Sequence, residues 1–203
     1  MNTELLRDAA EWRLISLLFE CPGLDWQSQV TALANEVADP TLKSAVAALG
    51  EDATPSLYQT TFGPGGPAAP REVSYRDTLM PGQMLGEIAA FYEAFAYQPS
   101  IAEPPDHIAV MTGFIAYLRL KEAFGSAEQA TIVADAAKKF SAEHLNTLAE
   151  PLAKSLGNSG IEYLAQVSAA LLKRVGSRKQ TTAAVGATAV ADCDGCKFLD
   201  EEE

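Results

Sequence analysis

The chain has 203 residues, 48% of them hydrophobic, and a formal net charge of −12. That balance offers no basic stripe to displace the counterions of a nucleic acid and disfavours an anionic membrane surface; it suits a basic partner, or no more than solubility. The length fits one domain, or two small lobes sharing a core, no segment approaches the roughly 18–20 apolar residues of a membrane span, and three cysteines fit a reducing compartment better than a disulfide framework.

The opening segment, MNTELLRDAAEWRLISLLFE, carries acids in its first turns and has no basic n-region or small-residue cleavage site. It reads as an amphipathic helix and not as a signal peptide, so a cytoplasmic protein is expected. Leu5, Ala9, Trp12, Ser16 and Phe19 follow helical spacing, and Leu6, Leu14, Leu17 and Leu18 broaden the stripe. CPGLD ends it, with Cys21 expected in the core. Asp25 is placed to cap a second helix with Trp26, Val30, Leu33 and Val37 on one face. Asp39-Pro40 supplies a cap and a first-turn proline for a third, ended by Gly50. A short helix at about 54–62 pairs Tyr58 with Phe62, and GPGGPAAPRE at 63–72 then forbids regular structure. Met84, Ile88, Phe91 and Phe95 define the next helix.

A second proline-bearing connection, at 97–105, divides the chain near its middle. Beyond it a helix is expected at about 106–124, capped by Asp106 with Pro104-Pro105 fixing the entry angle. Another starts at Ser126 with Gln129 as capping-box partner, a third spans about 141–157 with Pro151 kinking it, and the last follows a Ser159–Glu162 box. From about Gly176 the pattern is lost, and 176–203 is expected to be a disordered acidic tail. The expected fold is therefore all-α. It is a single helical bundle of about eight or nine helices over 1–175, in halves of about 1–96 and 106–175 joined by the hinge at 97–105.

Several chemistries are disfavoured. There is no phosphate-binding loop, nucleophile elbow or paired zinc motif. The prolines of GPGGP remove the backbone N–H groups that a phosphate cradle needs. His107 and His144 have no ligand spacing. Cys193 and Cys196 form a single CxxC, a weak metal candidate, in an acidic context that favours the thiol over the thiolate. Tyr58 and Phe62 on one face, next to a rigid loop with Glu72 and Tyr75 beyond it, are suited to the rim of a groove that grips apolar and basic side chains.

Four stretches in order carry a resemblance. They are Arg13 to Phe19 (similar to R-x-L-x-x-L-F), Tyr58 to Gly65 with Glu72-Val73-Ser74-Tyr75, Glu103-Pro104-Pro105-Asp106-His107-Ile108-Ala109-Val110, and Phe140 to Leu145. Together they resemble the TorD/DmsD/NarJ family of redox-enzyme maturation chaperones. Met111-Thr112-Gly113 departs from the family's acidic continuation, and Gly113 should cost about 1 kcal/mol inside a helix. The resemblance implies a non-enzymatic, all-α chaperone without a cofactor. It would bind the catalytic subunit of a molybdenum-cofactor oxidoreductase, its twin-arginine signal peptide, or both, as a monomer or homodimer. The implied client-binding residues are Arg13, Tyr58, Phe62, Gly63, Pro64 and Glu72, together with Ser74, Tyr75, Pro105, Asp106 and His107. The alternatives are a metal or thiol-redox protein acting through the CxxC, a nucleotide hydrolase, and a plain structural subunit.

Overall fold

The centre is one helix buried on all sides over its first half, packed against a second that is buried all round only over its last turns, as expected of elements that enter a core. The structure, a computed structural model, describes residues 2–50, 53–77 and 80–177. Asn2 caps α1 (Thr3–Leu18) by accepting from the backbone N–H groups of Glu4 and Leu5. The first half of α1 is one-sided, but every residue from Leu14 to Phe19 is buried. Its partner α6 (Ile108–Phe124) is buried without interruption from Ile108 to Ala116. The two pack lengthwise, joined by a hydrogen bond from Ser16 Oγ to the Ala109 carbonyl at 2.8 Å. Gly113 has a positive reason to be glycine: a Cβ there would lie 2.8 Å from Tyr97 Oη and 3.2 Å from Ser16 Oγ. The Tyr97 hydroxyl takes that space and donates to the Val110 carbonyl.

Shorter helices surround this pair. They are α2 (Trp26–Ala34), α3 (Pro40–Ala47), α4 (Pro55–Phe62) and α5 (Pro81–Ala94) before α6, and α7 (Ala127–Phe140), α8 (Asn146–Gly157) and α9 (Glu162–Val175) after it. Among the described residues there are nine α-helices and no strand, so the chain is all-α. Asp39 caps α3 through Thr41 N at 2.8 Å, and Ser126 and Gln129 form the reciprocal box that opens α7. Among these residues no helix is long and apolar enough to cross a membrane.

Several expectations change. Asp25 makes no side-chain cap; its carbonyl instead accepts the Ser28 hydroxyl. Ser159 does not box with Glu162, because its hydroxyl accepts from Ile161 N and donates to the Leu156 carbonyl. Helix α3 stops at Ala47, ahead of Gly50. Cys21 lies past the end of α1 and is exposed rather than in the core. No loop separates α7 from α8: a π-helical turn, Ser141–Leu145, joins them, since no residue from Phe140 to Asn146 breaks a helix. On α5 the core contacts come from Met84, Ile88 and Tyr92, leaving Phe91 and Phe95 half-buried.

Helices of both sequence halves interleave, with α9 packed on α3 as well as on α8. A polar tie secures this. Arg174 of α9 pairs with Asp8 at 2.9 Å, with Glu11 and with Asp39 at 3.6 Å. Glu11 also accepts from the N–H groups of Ala38 and Asp39, both at 2.9 Å. Gly176, with φ of +80°, ends α9. The expected tail, with Cys193 and Cys196, lies outside the described residues apart from its first two positions.

Candidate functional site

Helix α4 places Tyr58 and Phe62 one turn apart, with ring centroids 5.2 Å from each other, and Phe62 meets Phe19 edge-on at 6.4 Å. The helix ends at Gly63-Pro64. A Cβ on Gly63 would come within 2.3 Å of the Gln59 carbonyl oxygen, so the chain turns there only because the side chain is absent. The loop then folds back. Tyr75 holds it, its hydroxyl donating to the Ala69 carbonyl at 2.8 Å and accepting from Ala69 N at 3.2 Å.

The loop is clamped onto the start of α6. Ile108 N donates to the Pro70 carbonyl at 2.8 Å and Glu72 N to the Asp106 carbonyl at 3.0 Å, an antiparallel bridge centred on Arg71 and His107. The Asp106 side chain is fully buried. Its Oδ1 accepts from Arg71 Nε at 2.9 Å and its Oδ2 from Val73 N at 3.2 Å. Asp106 is therefore not the cap of α6. The cap is His107, whose Nδ1 accepts from Ala109 N at 3.2 Å. A ring nitrogen that accepts carries no proton, so the proton sits on Nε2 and is donated to Tyr58 Oη at 3.0 Å. Burial lowers the His107 pKa to about 4, against a smaller opposing effect of Asp106, so the ring is neutral near pH 7. Burial, with Glu103 next in effect, pushes the Tyr58 phenol up.

Loop and clamp enclose a groove of about 500 Å³. Tyr58, Phe62, Gly63, Pro64, Ser74 and His107 line it, so the structure brings six of the sequence-expected residues together. The other five lie elsewhere. Glu72 was expected at the rim, but the 3-10 turn Glu72–Tyr75 points its carboxylate into the protein. There it accepts from Arg76 and from His144 Nδ1, the latter at 3.0 Å. Tyr75 braces the loop from behind, and Asp106 lies beneath. The Pro105 carbonyl accepts from Tyr92 Oη at 2.7 Å. Arg13 borders a separate groove beside Leu6, Gly113 and Tyr117, tied to Ser16 at 2.9 Å and to Glu20 at 2.6 Å.

Sequence reasoning missed the two charged groups that do line the groove, Arg71 and Glu103. The signals were present: Arg71 is the only cation between Gly63 and Tyr75, and Glu103 directly precedes Pro104-Pro105-Asp106-His107. Both ring nitrogens of His107 are committed to hydrogen bonds within the protein. Among the described residues no three His, Cys, Asp or Glu side chains could hold a metal ion.

Residues 30–154, more than half of the chain, match the nitrate reductase delta subunit family, and the chain belongs to it. This is the TorD/DmsD/NarJ group, non-catalytic chaperones of molybdoenzyme maturation. The matched span contains the 58–75 and 103–110 motifs and excludes Arg13. The comparison with curated proteins gives no match.

Proposed function

We propose that the chain is a cytoplasmic, system-specific chaperone for one molybdenum-cofactor oxidoreductase. It binds the catalytic subunit, its twin-arginine signal peptide, or both, until folding and cofactor insertion are complete. The observation that supports this best is the clamp of the loop onto the start of α6, which builds one groove from two motifs far apart in sequence. The Tyr58 and Phe62 rings offer apolar walls, and Glu103 offers a carboxylate beside them. Such a surface suits a guanidinium followed by an apolar stretch, and the net charge of −12 favours encounter with a basic segment. The chaperone carries no cofactor of its own and works as a monomer or homodimer, the 97–105 connection being the place where two chains could exchange halves.

Glu103 and Ser74 can be changed without touching the buried Asp106 and His107. Affinity capture from the native host should compare the wild type with Glu103→Arg/Ser74→Arg. The wild type is expected to retain one molybdoenzyme catalytic subunit, and the variant to retain at least about tenfold less, as expected for a like charge placed against a cationic segment. Equal retention would move the binding surface away from this groove. Absence of any such subunit from both baits would overturn the chaperone reading.

A further inference from the structure

Four arginines of this fold each hold two or more partners. Arg174 pairs with Asp8 and Glu11, Arg119 with Asp8 and Glu122, Arg13 bonds to Ser16 and Glu20, and Arg76 to Glu72 and the Glu143 carbonyl. Arg71 is the exception among the ion-paired arginines of the described residues: its one partner is Asp106, reached through Nε at 2.9 Å. Asp106 has no second oxygen to give it, because Oδ2 accepts from Val73 N at 3.2 Å. The Nη1 and Nη2 end of the guanidinium, whose two parallel N–H groups match a carboxylate, is therefore left without a partner among the described residues. That end is held in place all the same. The backbone bridge to 106–108 fixes the Arg71 main chain, the Asp106 bond fixes Nε, and the side chain, 37% exposed, lines the groove beside His107. Glu103, the other charged residue lining that groove, makes no ion pair with Arg71 or with any other described residue. A second groove, beside His144 and lined by Phe91, Glu87, Lys139 and Glu143, satisfies its own charges: Glu143 meets Lys139 at 4.0 Å and Glu87 accepts from Gln83 at 3.1 Å.

We propose that the groove beside His107 takes an extended peptide segment carrying both a basic and an acidic side chain, the base at Glu103 and the Asp or Glu carboxylate on the free end of the Arg71 guanidinium. This rests on the reading of the groove as the client site and adds to it an acidic requirement that a purely cationic segment does not meet. Arg71 then sets specificity: a basic segment without the acid leaves the Arg71 N–H fork to water, and one with it gains a charge-assisted pair on a guanidinium already fixed at two points. The long-range field acts in the opposite direction. A chain of net charge −12 repels an added carboxylate, so glutamate in a bound peptide weakens binding unless a local cation receives it. The sign of the glutamate effect therefore separates the local site from the overall charge.

The test is fluorescence anisotropy of the full chain with labelled hexapeptide amides. The probes are Ala-Ala-Arg-Phe-Ala-Ala and the variants in which each alanine in turn is glutamate or glutamine. At one position or more, glutamate should bind about fivefold more tightly than glutamine, the size of a well-placed exposed ion pair. This comparison needs only the wild-type protein. Arg71→Gln should then abolish the preference. The glutamine amide nitrogen stands as many bonds from the backbone as Nε did, so the bond to Asp106 is kept and only the free end of the guanidinium is lost. Glu103→Gln should weaken every arginine peptide about fivefold and leave the glutamate preference in place. Glutamate no tighter than glutamine at every position, or a preference that survives Arg71→Gln, would overturn the proposal and leave the groove as a site for a cationic segment. No binding of any arginine peptide, or binding indifferent to Glu103→Gln, would remove that reading of the groove and the proposal with it.

Discussion

Replacing Asp106 with serine separates two accounts of the helix start that look alike in sequence. If Asp106 capped α6, serine would serve nearly as well, since Asp, Asn and Ser are close to equivalent at that position. In the structure the carboxylate instead bridges Arg71 Nε at 2.9 Å and Val73 N at 3.2 Å, and a serine hydroxyl is too short to reach either. The unpaired Val73 N–H then costs about 1–3 kcal/mol. The ion pair adds only about 1 kcal/mol, because the Arg71 side chain is 37% exposed and regains solvent. Asp106→Ser should therefore destabilise by about 3 kcal/mol, which at a urea slope of about 2 kcal/mol/M lowers the midpoint by about 1.5 M. A double-mutant cycle with Arg71→Ala should return a coupling of about 1 kcal/mol. A midpoint within about 0.3 M of wild type for Asp106→Ser would refute the clamp and restore the cap.

Tyr58→Phe removes the acceptor of the His107 Nε2 proton and leaves a buried donor unpaired, a loss of about 1–3 kcal/mol by urea denaturation with little change of shape. His107 also sets a pH dependence. Its pKa is about 4 when folded against 6.5 for the unfolded group, so the unfolded chain binds the proton first. Its contribution is then complete above about pH 6.5 and is lost as pH falls towards about 4, by up to about 3 kcal/mol. The stability gap between wild type and His107→Asn should accordingly narrow by about 2 kcal/mol from pH 7 to pH 5, and a constant gap would contradict the burial argument. Gly113→Ala gains about 1 kcal/mol of helix propensity but drives a methyl onto Tyr97 Oη at 2.8 Å, so net destabilisation is expected. In a Tyr97→Phe background the same substitution should stabilise, and stabilisation in the wild-type background would show that the tyrosine yields freely.

The helices were legible wherever one periodic stripe or one local hydrogen bond determines them. Asp39 and the Ser126–Gln129 box act within three residues of themselves, and both were readable. Asp25, Ser159 and Asp106 carry the same letters in similar settings, yet their side chains bond differently. Asp106 shows the cause: its partners come from residues 71 and 73, and no window around position 106 contains them. The same holds for Glu72, whose placement at a rim followed from its neighbours: besides the local Arg76 its carboxylate meets His144, from the other half of the chain. Tyr58, Phe62, Gly63 and Pro64 could be placed together because one helix end and one turn bring them there. Gly113 illustrates the converse. Propensity assigned it a cost, and only the approach of Tyr97 from the preceding connection explains why glycine occupies the position.

The two buried carboxylates divide the labour of the 71–76 segment. Asp106 reaches into it from the start of α6, holding Arg71 and Val73, while Glu72 reaches out of it to His144 in the π-helical turn. The backbone bond from Glu72 N to the Asp106 carbonyl, at 3.0 Å, ties the two together. Arg71 and Ser74 of this segment line the groove beside His107, and Arg76 lines the groove beside His144. One short 3-10 turn is thus a wall of both. A partially satisfied polar group at this depth costs more than an apolar one, so the turn has few alternative positions once Asp106 and Glu72 are paired. A partner seated against Arg71 and Ser74 can influence the second groove only by moving this turn, against hydrogen bonds to two elements from the other half of the chain. The segment is therefore a rigid spacer that fixes the distance between the two grooves, and it is held with polar groups because hydrophobic contacts alone would let it slide.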